Sequence, residues 1–201
     1  MNLNSFFPWI AQVIFFVGLL PQIRLNYKLK STKGLSDFLF IGYFLGYSFY
    51  TFYAYCLNLP LAHKIMVPLG LMAALVLVFQ RFYYSDNKNG DRKLKLFFVL
   101  VTMFFLGLLF LAINNRELIG HISGWIMMLN WAIYQIPQII KNYKNKAVKG
   151  LSFGLVSIIG LGNFTEFIVM LVLGMPIQSC LNNFNGILTY IIYLFQFIKF
   201  K

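Results

Sequence analysis

The sequence predicts an all-α integral membrane protein of seven transmembrane helices, arranged 3+1+3 as two parallel three-helix repeats around a linker helix. Three observations carry this. Of the 201 residues, 60% are hydrophobic and only 11% charged, against about 25% charged in a soluble domain, whose surface must face water. The apolar residues form seven runs, 5–26, 36–58, 60–83, 95–114, 118–141, 151–174 and 177–199. Each approaches the roughly 20 residues needed to cross a hydrocarbon core about 30 Å thick. The chain also repeats itself at an offset of 116 residues, which marks an internally duplicated architecture.

The first three runs make one unit, 5–83, and the last three a second, 118–199. The run 95–114 has no partner at the offset and is the linker. A three-span unit joined directly to its copy would be inverted; one extra span restores the orientation. The two units are therefore expected to be parallel, related by an axis along the membrane normal, with a solute site at their interface.

The net charge of +12 does not mark a nucleic-acid binder, because its distribution is that of a membrane protein. Of the 17 basic residues, all but Lys64 and Arg116 lie between, or at the facing ends of, runs one and two, three and four, five and six, or at the C-terminus. Cytoplasmic loops collect Lys and Arg, so these loops and the C-terminus are expected to be cytoplasmic and the N-terminus outside. Met1 to Ser5 carry no charged side chain, so the first run lacks the basic leader of a cleavable signal. Cys56 and Cys180 stand far apart, without metal-ligand or redox spacing, and read as small buried apolar residues. No span holds a nucleophile–base pair, a cofactor motif or a mid-span Lys for a retinal Schiff base, so neither an enzyme nor a photoreceptor is expected.

The repeat is densest where the runs meet basic loops. Between 21–36 and 137–152, 11 of 16 positions are identical. Pro21-Gln22-Ile23 falls on Pro137-Gln138-Ile139, Asn26-Tyr27-Lys28 on Asn142-Tyr143-Lys144, and Lys33-Gly34-Leu35-Ser36 on Lys149-Gly150-Leu151-Ser152. The register holds outward through Trp9-Ile10 with Trp125-Ile126, Pro60 with Pro176, and Phe79-Gln80 with Phe195-Gln196. A Pro inside a helix removes a backbone hydrogen bond and kinks or breaks the helix. In lipid the freed carbonyl needs a partner within the protein, and the amides of Gln22 and Gln138 are placed to supply one. The Pro-Gln pairs are thus candidate hinges. Gly34 and Gly150 suit tight turns, and Ser36 and Ser152 suit the N-caps of the helices that follow.

At these residues the chain resembles the PQ-loop family, and Lys30-Ser31-Thr32-Lys33-Gly34-Leu35-Ser36 is an especially close match to its signature. The resemblance implies a seven-helix transporter fold, shared with cystinosin, lysosomal cationic amino acid exporters and SWEET sugar carriers, in which the Pro-Gln elements act as hinges for alternating access. The KDEL receptor has a similar architecture and binds cargo peptides instead, so the fold alone does not decide function. Where the cystinosin-like pattern carries a coupling Asp, nine residues after the Gly of the second signature, this chain has Ile159. Tyr43 replaces the polar Asn of the first repeat. That substrate and that coupling site are therefore not carried over.

Glu166 is the acidic residue set well inside a run. An ionised carboxylate at such depth costs a few kcal/mol and usually faces a cavity or a partner. It is read either as a solute- or proton-binding group or as one satisfied by an interhelical hydrogen bond. Asn163 shares its helical face. By the offset, Tyr50 stands in the place of Glu166 and Tyr47 in that of Asn163. With Tyr43 they form an i, i+4, i+7 stripe, which is either packing or an aromatic wall suited to cation–π contact. Asn130 and Asn185, like Gln135 and Asn183, are span-embedded amides, candidates for solute contact or for interhelical bonding. His63 and His121 fall near run ends and are expected to face water. Gly42, Gly46, Gly120 and Gly124 are expected to pack helices closely within a unit.

The reading is a secondary transporter of a small polar solute, a cationic or zwitterionic amino acid, proton-coupled and working by alternating access. The alternatives are a SWEET-type sugar carrier or a cargo receptor on the same fold. The expected partners are the solute, protons and the bilayer, with no metal or other cofactor; the oligomeric state stays open. The short loops, and a chain ending at Lys201, favour a bacterial inner membrane over an endolysosomal one. The topology predicts that, in intact cells, a cysteine at position 117 reacts with an impermeant thiol reagent while one at position 90 does not; the reverse pattern overturns it.

Overall fold

A computed structural model describes residues 3–85 and 88–200. Lys201, counted above among the basic residues, lies outside them, and so does the side chain of Lys88. The described residues form eight helices that make seven spans: α1 (Leu3–Leu29), α2 (Asp37–Cys56), α3 (Leu61–Tyr83), α4 (Lys88–Asn114), α5 (Arg116–Ile133), α6 (Ile136–Asn145), α7 (Phe153–Leu173) and α8 (Ile177–Lys199). The fifth run is divided, with α5 and α6 its two halves. Four helical segments are long and apolar enough on their own to cross a membrane, Phe6–Leu29, Leu61–Tyr83, Asp91–Asn114 and Phe153–Leu173. In α2, α5–α6 and α8 the Tyr, Asn and Gln that face the interior dilute the apolar signal.

Within each unit the third helix lies between the first and the second: α1 and α2 both pack on α3, while α5 and α7 both pack on α8. The units meet along two related seams, α1 with α7 and α2 with α5. The Gly pairs belong to the second seam. A Cβ on Gly42 would overlap Tyr134, one on Gly46 would meet Trp131 at 2.5 Å, and one on Gly124 would meet Tyr53 at 2.8 Å. The expectation that these glycines pack within a unit is corrected: they close the interface between units. Lipid tails give helices no hydrophobic reason to associate, so close backbone approach at small residues supplies the attraction.

The linker helix α4 rides on the outside of the first unit. Phe105 packs edge-on against Phe44 and Phe49 and stacks on Phe52 at 5.7 Å. Its other faces, including Leu100, Met103 and Phe110, stay exposed, as befits contact with lipid. At the basic end Arg81 of α3 donates to Asp37 of α2 at 2.5 Å and to Asp91 of α4 at 3.3 Å, tying the linker to the unit before it.

The two prolines behave differently. α1 runs unbroken through Pro21, whereas the fifth span breaks at Tyr134–Gln135 and restarts with Pro137 in the first turn of α6, where a missing N–H costs nothing. The seam predicts a contrast between two substitutions. Gly46→Val should destabilise the protein in detergent by about 1–3 kcal/mol through overpacking against Trp131. Gly107→Val on α4, whose Cβ would meet nothing within 4 Å, should leave the thermal midpoint unchanged; equal midpoints for the two would refute the seam.

Candidate functional site

The site is built from the two signature turns inward. Gly34 (φ +99°) and Gly150 (φ +79°) both take the left-handed conformation that glycine adopts without strain. They also lie back to back: a Cβ on Gly150 would stand 2.5 Å from the carbonyl oxygen of Lys33, and one on Gly34 would overlap that of Lys149. The caps form as the sequence predicts. Ser36 Oγ accepts from Phe38 N and Ser152 Oγ from Leu155 N, both at 3.3 Å.

The two glutamines hold these turns, but crosswise. Gln22 Nε2 donates to the carbonyl of Gly150, and its Oε1 accepts from Ser152 N, both at 2.8 Å. Gln138 Nε2 donates to the carbonyl of Gly34 at 3.1 Å, and its Oε1 accepts from Ser36 N at 2.6 Å. Both side chains are fully buried. The second proton of each amide goes to an asparagine of its own helix, Asn26 or Asn142. Each asparagine in turn donates to Gln80 or Gln196, which donates to the carbonyl of Ile23 or Ile139. The expectation that Gln22 and Gln138 serve the carbonyls freed by their own prolines is thereby corrected. The side chains point across the pseudo-two-fold axis, where the other unit's turn has the less replaceable need.

Above this lock lies a cleft between the units. Tyr43, Tyr47 and Tyr50 of α2 line it together with Asn163 of α7, four of the residues singled out in the sequence. Facing them are Trp131 and Tyr134 from the broken fifth span, packed edge-on to Tyr43 with ring centres 5.9 and 5.3 Å away. Gln12, Gln135, Asn182, Asn183, Thr189, Tyr190 and Tyr193 complete the polar lining, and among the described residues no charged side chain contributes to it. The Oδ1 of Asn182 and the hydroxyl of Tyr193 are buried without a hydrogen-bond partner among the described residues, so both can receive a solute's polar groups. Asn130 and Asn185 stand outside the lining and donate to the carbonyls of Gly42 and Trp131 at 2.9 and 3.2 Å.

Glu166 does not reach the cleft. It is fully buried beyond Tyr50 and makes a 2.6 Å contact with Nε2 of His63, itself fully buried. The expectation that His63 faces water is corrected, while His121 is exposed. His63 lies in the first turn of α3, but α3 is the middle helix of its unit, so a residue near its end points into the bundle. Tyr50 separates the pair from the cleft: its ring lies 6.1 Å from that of His63, and its hydroxyl accepts from Gln12 at 3.4 Å. Sequence reasoning missed His63, Gln12 and Trp131. The only available signal was that His63 stands at the offset position of Ser179, and that pairing has no meaning until both partners are seen.

The PQ loop repeat is matched twice, over residues 3–63 and 119–177. The chain belongs to the PQ-loop repeat family. An uncharacterised Schizosaccharomyces pombe protein is 27% identical over 82% of this chain and 61% of its own length. Cystinosin of Drosophila melanogaster is 23% identical over 74% of this chain and 43% of its own. Cystinosin of Bos taurus is 36% identical over 62 residues, 30% of this chain and 17% of its own. The chain thus spans less than two thirds of the length of the curated relatives it matches. A solved eukaryotic SWEET transporter has the same 3+1+3 fold, with a TM-score of 0.71 over 98% of this chain and 100% of that one, at 14% identity.

The lock of this PQ-loop protein is testable from either half. Gln22→Leu strands the Gly150 carbonyl and the Ser152 N–H, a cost of about 1–3 kcal/mol for each buried group left unpaired. It should expose a cysteine placed at the buried Leu151 to thiol reagents from the basic side. Gln138→Leu should do the same for a cysteine at Leu35. Unchanged labelling in both variants would mean that the glutamines do not hold the turns shut.

Proposed function

We propose that this chain is a secondary transporter that carries a small polar solute, an amino acid, by alternating access. The observation that carries the reading is the position of the cleft. It lies between two parallel repeats, near mid-span, closed at the basic end by hydrogen bonds that run between the repeats and that a rocking motion of one unit against the other would break. The basic end is taken as cytoplasmic, with the N-terminus outside. Pro21-Gln22 and Pro137-Gln138 are the hinges: Pro21 leaves α1 free of one backbone bond, Pro137 opens α6 just after the break in the fifth span, and the glutamine next to each is the catch.

The lining supports a zwitterionic or cationic solute. Tyr43, Tyr47, Tyr50 and Trp131 offer π faces to an ammonium group. Tyr50 and Asn163 offer hydroxyl and amide groups, and Asn182 Oδ1 offers a free acceptor. Glu166 lies one side chain away, behind Tyr50, and is the proposed proton-coupling group. A second reading, a SWEET-type sugar carrier, is favoured by one feature: the lining holds no charged side chain, as suits a neutral polyol stacked on aromatic rings.

Uptake of labelled amino acids and sugars into proteoliposomes, with and without a pH gradient, separates the two. Uptake of amino acids but not sugars is expected; the opposite result transfers the assignment. The Glu166→Gln variant should retain solute exchange and lose pH-driven accumulation. A variant that accumulates solute as the parent does would leave Glu166 a structural partner of His63.

A further inference from the structure

We propose that His63 and Glu166 form a single proton site that latches the end of the bundle opposite the basic loops, so that a proton held between them keeps that gate shut. The inference deepens the transport reading, on which the word gate rests.

The first support is symmetry. At the offset of 116 residues His63 corresponds to Ser179 and Glu166 to Tyr50. Ser179 also makes a cross-unit contact: its hydroxyl shares a 2.7 Å hydrogen bond with the hydroxyl of Tyr53, one turn beyond Tyr50. Two polar bridges therefore stand at matching places. Each joins the first turn of one unit's third helix to the second helix of the other, α3 to α7 and α8 to α2. The bridge made of hydroxyls is neutral as it stands. The bridge made of an imidazole and a carboxylate is neutral only when it carries one proton beyond neutral imidazole and carboxylate.

The second support is that no other charge among the described residues balances it. Both side chains are fully buried, and His63 Nδ1 and Glu166 Oε2 have no hydrogen-bond partner among the described residues. From α1 no titratable residue lies between Leu3 and Ile23; α2 presents Tyr50 and Tyr53; α7 has no other titratable residue; α8 offers Cys180 at this end. Lys64, next to His63, donates to Asn58 at 2.6 Å, and Arg116 at the start of α5 donates to the carbonyls of Tyr55 and Cys56. An unpaired charge in such a place costs several kcal/mol, whereas water reaching the pair removes most of that cost. With its proton the closed pair is net neutral. Without it the pair carries one negative charge, and with a second proton one positive charge; both favour the hydrated state in which α3 and α7 part. The proton enters from water at that end while the gate is open, and closure seals it between Nε2 and Oε1.

The test reads the gate and not transport. In full-length protein with Cys56 and Cys180 replaced by Ser, an Asn163→Cys reporter in the cleft is labelled with an impermeant methanethiosulfonate from the face at which a cysteine at position 117 reacts. Its rate is divided by that of the position-117 cysteine at each pH, which removes the thiol's own pH dependence. The ratio should pass through a minimum and rise roughly tenfold toward both acid and alkaline pH, the change that one pH unit produces in a singly titrating population. Glu166→Gln should abolish the alkaline rise and keep the acid one; His63→Gln should do the opposite. A flat ratio in the parent, or a parental profile in both variants, overturns the latch. The predicted profiles with no solute transported would overturn the transport reading alone.

Discussion

The rest of the structure depends on one constraint: backbone groups brought together where water is scarce must find partners inside the protein. The two signature turns meet back to back at the basic end, and their left-handed glycines turn carbonyls and amides inward. Each unit carries a glutamine that bonds the inward-facing groups of the other's turn. Gln22 serves Gly150 and Ser152, and Gln138 serves Gly34 and Ser36. The exchange fixes the relative position of the units at one end, and the cleft is what remains between them further in.

The two halves of this exchange are alike, but their surroundings are not. In the first unit Asp37 and Arg81 form an ion pair between α2 and α3 that also holds the linker through Asp91. At the offset positions of the second unit stand Phe153 and Phe197, packed edge-on at 5.2 Å. The unit next to α4 is bridged by charge at this point, and the one without a linker is bridged by aromatic rings facing a different neighbourhood. The prolines divide in the same way, with α1 continuous and the fifth span broken just where Trp131, Tyr134 and Gln135 enter the cleft. Duplication supplied two copies of one scaffold; the differences between them furnish the site.

Across the cleft the same division of labour recurs. The lining is aromatic and amide, with no charged side chain among the described residues, while a fully buried ionisable pair sits a side chain away. Tyr50 touches both, through a hydroxyl bonded to Gln12 and a ring against His63. The neutral lining thus stands next to a buried acid–imidazole pair and apart from it.

The sequence alone determined the class, the seven spans, the unpaired linker and the duplication, because the length of apolar runs and self-similarity are properties of the chain in one dimension. It also determined the turns and caps: a left-handed glycine and an N-cap serine are local demands, met at Gly34, Ser36, Gly150 and Ser152. The tyrosine stripe was legible as one face of α2, and Asn163 as a neighbour of Glu166 on α7. Which face looks inward was not, since helices apolar all round carry little directional signal. Only the tertiary structure decided that Gly42 and Gly124 close the seam between units, that Asn130 and Asn185 bond backbone instead of lining the cleft, and that Gln22 and Gln138 reach across the axis. It alone decided that His63 is the partner of Glu166, because a hydrogen bond between residues 103 positions apart depends on where two rigid units dock, and no periodicity within either helix records that.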